Sequence, residues 1–149
     1  MTGDTDSLHF NPDKPISRQM AAKIAARVID RSRSAGILIK DVDDNHPFSA
    51  YINSMVGFNI MDLDRDFSFR PAAALTIEEL STMAESRQLR PPSRSLVHIE
   101  ALSKSELDSN PQALVTRAQF AEWIAAVITY KKKWEKLAKE LREGPLAAN

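Results

Sequence analysis

One short phrase is written three times in this chain: a proline, three residues, an apolar residue, and then a serine or threonine that opens a helical pattern. It reads PDKPIS at residues 12–17, PAAALT at 71–76 and PQALVT at 111–116. Such a repeat constrains the fold strongly, because each copy marks a supersecondary unit that cannot bury its apolar face alone. Phe10 and Phe69 stand in register ahead of the first two copies, where the third has Ser109.

The spelling predicts a loop running into a helix. Proline keeps the approach extended and cannot continue a helix, and a Ser or Thr N-cap accepts a hydrogen bond from a first-turn N–H. Thr76 with Glu79 and Thr116 with Gln119 have the spacing of a capping box, whereas Ser17 faces Met20 and does not. Ile16, Leu75 and Val115 precede the caps and are placed to act as hydrophobic staples.

Helical periodicity follows each cap. Ala21, Ile24, Ala25 and Val28 share one face of the first helix, Leu80, Met83 and Ala84 of the second, and Phe120, Ile124, Val127 and Ile128 of the third. Stop signals put the ends near Gly36, before residues 90–94 (RPPSR), and at Gly144-Pro145. Further helices are expected within 46–58, with Phe48, Tyr51, Ile52, Met55 and Val56 on the apolar side, and within 95–107; GILI at 36–39 is a short extended candidate. Ser17 to Thr76 is 59 residues and Thr76 to Thr116 is 40, so the third unit is shortened. The expectation is one all-α domain over 1–149: a half repeat at 8–35, a full repeat at 40–88, a shortened repeat at 95–130 and a helical extension at 131–143.

Composition narrows the function. With 20 basic and 20 acidic residues the net charge is zero, so no global field draws the chain to nucleic acid or an anionic membrane, and recognition must be local. The absence of cysteine removes disulfides, thiolate metal sites and a cysteine nucleophile. No stretch approaches the roughly 18 apolar residues of a membrane span, and the first thirty residues carry no signal-peptide pattern. No nucleophile elbow, P-loop or dinucleotide turn is present, and His9, His46 and His98 share no ligand spacing. Asp62, Asp64 and Asp66 have the alternate spacing of a calcium loop, but Phe67 and Ala73 stand where an EF-hand needs Gly and Glu, so the stretch reads as an acidic turn; Asp41, Asp43 and Asp44 read as a loop. A non-catalytic protein without cofactor or metal is expected.

Read from residue 40, KDVDDNHPFSAYINSMVGFNIMDLDRDFSFRPAAALTIEELSTMAES resembles one repeat of the S-layer homology family. Such repeats run from an Asp-Val start through a helix and an Asp-Gly-x-Phe-x-Pro loop to a Thr-Arg-Ala-Glu-like helix start. FNPDKPISRQMAAKIAARVI is similar to the second half of a preceding repeat and ALVTRAQFAEWIAAVI to the end of a following one. The resemblance implies a compact bundle of helix-loop-helix repeats in pseudo-threefold arrangement, bound at the cell envelope to an acidic secondary cell-wall polymer. The family's Thr-Arg pair carries over to Ser17 with Arg18 and to Thr116 with Arg117. A helix N-terminus would offer N–H donors, and Arg a two-pronged fork for a carboxylate. The second copy has Ile77 in place of Arg, the Asp-Gly turn reads as DRD, and Pro47-Phe48 replaces the family's aromatic after Asp-Val.

The last helix carries a further signal. Phe120, Trp123, Val127, Tyr130, Trp134, Leu137 and Leu141 recur at alternating steps of three and four, and Arg117 to Glu143 unbroken would measure about 40 Å. Lys131, Lys132 and Lys133 are followed by Glu135 and Glu140 at spacings that support a solvated helix face. Two functions are therefore expected: attachment to envelope polysaccharide through Ser17, Arg18, Thr116 and Arg117, or docking on a protein partner, or pairing of two copies, through Trp134, Leu137 and Leu141.

Overall fold

The computed structural model describes residues 11–29, 36–86, 89 and 110–143. Four α-helices lie within them: α1 (Arg18–Val28), α2 (Ser49–Gly57), α3 (Ile77–Glu85) and α4 (Arg117–Glu143). The helix expected at 95–107, His9, His98 and Phe10 fall outside the described residues. Among the described residues, β-type pairing is limited to isolated bridges, and that part of the chain is all-α.

Those bridges explain the repeat. The Ile16 N–H donates to the Val115 carbonyl (3.0 Å), the Val115 N–H to Leu75 (2.9 Å) and the Leu75 N–H to Ile16 (2.9 Å), closing a ring of three backbone hydrogen bonds. A second ring links Arg18 to Ala73 (2.8 Å), Ile77 to Ala113 (2.9 Å) and Arg117 to Lys14 (2.9 Å). A third links Gln19 to Pro71 (2.9 Å), Glu78 to Pro111 (2.9 Å) and Ala118 to Pro12 (3.0 Å). Each helix start thus rests its first two N–H groups on the loop of another copy. The cap hydroxyl takes the next donor, from Met20 to Ser17 (3.3 Å), Glu79 to Thr76 (3.2 Å) and Gln119 to Thr116 (3.1 Å). Both expected capping boxes are present, since Glu79 and Gln119 each accept the N–H of their cap residue at 2.9 Å. Buried backbone donors must find partners, and here the repeat itself supplies them.

The ring sits in the core. Ile16, Leu75 and Val115 are at most 1% exposed, and Phe69, Phe120, Leu80, Met83, Ile52, Met55 and Ile60 are buried around them. The α1 stripe differs from expectation: Ala21, Ala22, Ala25 and Ala26 are buried, while Ile24 and Val28 sit at the edge, half-buried. Small side chains let α1 lie close against its neighbours, and the larger apolar ones are displaced to one side. The end of α1 also differs, at Val28 rather than near Gly36. The Lys131 ammonium from α4 donates to the Val28 carbonyl at 2.6 Å, supplying a partner at the helix terminus. Gly36 does adopt a left-handed conformation, φ 70°, outside any helix.

Residues 36–39 form no strand; Ile39 makes only an isolated bridge with Val42. In the Asp62–Phe69 loop the left-handed residue is Phe67, at φ 65°. Counted back from Phe69-Arg70-Pro71, the glycine of an Asp-Gly-x-Phe-x-Pro loop falls on Phe67, so the departure lies there rather than in DRD. In α4, Phe120, Trp123, Ile124 and Val127 are buried, with Phe120 and Trp123 edge to face at 5.4 Å between centroids. The helix then continues to Glu143 with Leu137 46% and Leu141 58% exposed.

Candidate functional site

Arg18 is the first residue of α1 and is buried, only 2% exposed. The ring bonds hold its backbone against the Phe69–Pro71 loop, and its side chain turns along that loop. Nε donates to the Phe69 carbonyl (2.7 Å), Nη2 to the Asp62 carbonyl (3.1 Å), and Nη1 to the Glu79 carboxylate. The guanidinium carbon also lies 4.5 Å from the Phe69 ring centroid, a cation–π contact in a desolvated place. Burial pulls the Arg18 guanidinium below its ordinary value and Glu79 opposes that pull; an arginine there still keeps its charge.

Glu79 has two jobs. Its Oε1 closes the α3 capping box on Thr76, and its Oε2 receives Arg18 together with Nη2 of Arg70 (3.2 Å). Arg70 in turn grips Asp64 with two prongs, at 2.5 and 3.3 Å, and this pairing raises its own pKa. Two guanidinium groups therefore face two carboxylates, and the cluster is neutral.

Asp41 fixes the loop from behind. Its two carboxylate oxygens accept the Phe69 and Arg70 N–H groups at 2.7 and 2.8 Å, steadying Arg70 in its left-handed conformation, φ 56°. Desolvation raises the Asp41 carboxyl, but the backbone donors from Phe69 and Arg70 outweigh it and hold the group below the usual carboxylate range. Asp66 is lowered mainly by the Ser68 hydroxyl, which donates to it at 2.6 Å. The acidic stretch is thus a scaffold for the loop.

Between these groups lies a cleft of about 90 Å³, lined by Arg18, Met61, Asp62, Leu63, Asp64, Glu79 and Thr82. At about 30 Å³ per water it has room for a few solvent molecules. A ligand carboxylate could meet the Arg18 fork only by displacing Glu79.

The other expected residues are placed as follows. The Ser17 and Thr116 hydroxyls are engaged as helix caps. Arg117 is half-buried at the start of α4, with its backbone N–H on Lys14. Ile77, at the equivalent position of α3, is buried, 2% exposed. Ser17-Arg18 and Thr116-Arg117 lie at the starts of different helices and are brought together through the bonded rings, not through a shared cleft. The helix N-termini also differ from expectation: their leading N–H groups are taken by neighbouring loops and caps, so side chains must do any anion binding. Leu137 and Leu141 are exposed on the distal part of α4; the Trp134 side chain lies outside the described residues. Sequence reasoning missed Asp41 and Glu79, although the Asp-Val start and the capping box each flagged a structural duty.

Among the described residues, no helix is long and apolar enough to cross a membrane. No curated protein compared with the chain matches it. Residues 38–80 match the family model of the S-layer homology domain, a stretch running from the Asp41 loop through α2 and the Phe69–Pro71 turn into α3. This is a family of binding and anchoring modules that attach proteins to cell-wall polymers. Over residues 38–80 the chain is therefore similar to an S-layer homology domain.

Proposed function

We propose that the chain is a non-catalytic attachment module that holds a protein at the cell envelope by binding an acidic secondary cell-wall polysaccharide. The observation that carries the reading is an arginine at the first position of two ring-linked helices, Arg18 of α1 and Arg117 of α4, on either side of the stretch 38–80 that matches this family's model. The three bonded rings support the pseudo-threefold arrangement of repeats within one domain of 1–149 that this role needs. Arg18 is engaged by Glu79, so polymer contact there is coupled to opening of that ion pair; Thr116-Arg117 is the second contact.

Co-sedimentation with purified sacculi, with and without their secondary polymers, tests the reading. Polymer-dependent pelleting should be weakened by Arg117→Ala and lost in the Arg18→Ala/Arg117→Ala double variant, with folding of both checked by circular dichroism. Failure of the native chain to pellet with polymer-bearing sacculi would sink it.

One observation favours a second reading. Leu137 and Leu141 stand exposed on the distal part of α4, a stretch suited to docking on a protein or on a second copy. Pull-down by α4 that Leu137→Asp/Leu141→Asp abolishes, without polymer binding, would favour it.

A further inference from the structure

A trough of about 590 Å³ lies between α1 and α4, on the side of α1 away from the Arg18 cleft. At about 100° per residue, Met20 points some 200° round α1 from Arg18. Its apolar lining comes from Met20, Ile24 and Val28, spaced by four along α1, and from Ile128 of α4. Ile24 and Val28 are the apolar residues that the buried alanine stripe displaces to the helix edge. The volume falls within the roughly 300–1,000 Å³ typical of ligand clefts.

The rim is cationic. Lys23 and Arg27 line the α1 bank and Lys131 and Lys132 the α4 bank, against a single carboxylate, Glu135. In a chain whose net charge is zero, that is a local excess facing one trough. Two of the cations are held in place: Lys131 by the Val28 carbonyl at 2.6 Å, and Lys23 by the Phe48 ring at 5.8 Å. Arg27 and Lys132 are exposed and able to reach a ligand. Lys131 and Lys132 are therefore walls of a trough rather than members of a purely solvated face.

We propose that this trough docks an acidic amphipathic helix of a partner protein. The three α1 residues span eight positions, about 12 Å, or roughly two helical turns. A partner helix presenting apolar side chains at steps of three and four would lay them on this floor, and acidic residues flanking its stripe would meet cations on both banks. A polysaccharide finds no use for the apolar floor. A basic or uncharged helix leaves the net excess of three positive charges uncompensated. This site is separate from the polymer contact and stands without it.

A displayed library of helical 16-residue peptides, selected on the full chain, tests the proposal. Enriched peptides should share large apolar residues at steps of three and four with flanking Asp or Glu, and should lose roughly tenfold in affinity against Arg27→Glu/Lys132→Glu. Both positions are exposed, and circular dichroism with a urea midpoint confirms that the variant folds. No enrichment, enrichment of peptides without acidic residues, or affinity unchanged by the variant would overturn it. So would a dimer in sedimentation velocity that the same variant abolishes, which would assign the trough to a second copy.

Discussion

The Arg18 guanidinium and the Glu79 carboxylate, 61 residues apart in sequence, form an ion pair joining the start of α1 to the first turn of α3. Arg18 is almost wholly desolvated while Glu79 is partly exposed, so removing the acid strands a buried cation. Glu79→Ala should destabilise the domain by about 3 kcal/mol in urea denaturation, the low end of the cost of breaking a buried pair. Glu79→Gln keeps the side-chain volume and one acceptor, enough for the cap or the arginines but not for both, and should cost less than the alanine variant. Equal losses in the two variants would assign the whole effect to the missing charge, and a glutamine variant as stable as the native chain would assign it to packing.

Asp41 makes stability depend on acid. Its folded-state pKa lies below its unfolded value, so its contribution is fully present above the ordinary carboxylate range and is lost as pH falls through the folded value. Urea midpoints of the native chain should fall as pH drops below about 4, and Asp41→Asn should flatten that fall while lowering the midpoint at neutral pH. An unchanged pH profile in the variant would assign the acid sensitivity to other carboxylates.

Phe67 holds a left-handed backbone conformation with its side chain 66% exposed. Left-handed geometry costs a residue with a Cβ about 1–2 kcal/mol, part of which glycine returns through its freer unfolded state. Phe67→Gly should therefore raise stability by about 0.5–1 kcal/mol, read as a higher thermal midpoint. A lower midpoint would mean that the exposed ring packs more usefully than its accessibility implies.

The helix caps should rank. Thr76→Ala removes one half of a reciprocal capping box and should cost about 1 kcal/mol, whereas Ser17→Ala removes a single long bond of 3.3 Å and should cost about half as much. Chemical denaturation of the two variants side by side measures the order.

How much of this was legible in the sequence depends on the range of the interaction. The caps, the capping boxes, the apolar face of α3, the 27-residue length of α4 and Phe120, Ile124 and Val127 of its expected face follow from local spacing and are present, whereas Ile128 is only half-buried. The bonded rings were not legible, because they join backbone atoms up to about a hundred residues apart and leave no side-chain signature beyond the repeat itself. The burial of Arg18 was hidden for a related reason. An arginine after a serine cap reads as solvent-facing, and only the fold brings Glu79 and the Phe69 and Asp62 carbonyls around it. The α1 stripe is half legible: Ala21 and Ala25 are buried as the period implies, but Ala22 and Ala26 take the places expected of Ile24 and Val28, because alanine gives a weak hydrophobic signal although its small size suits close packing.

A closed ring of hydrogen bonds has no first member. Ile16, Leu75 and Val115 satisfy one another whatever order the chain visits them in, so chain connectivity and core topology are independent variables in this domain. A circularly permuted chain, in which the segment now third is synthesised first, would present the same donors to the same acceptors. A chain lacking one segment would leave an unmatched donor and an unmatched acceptor in the core.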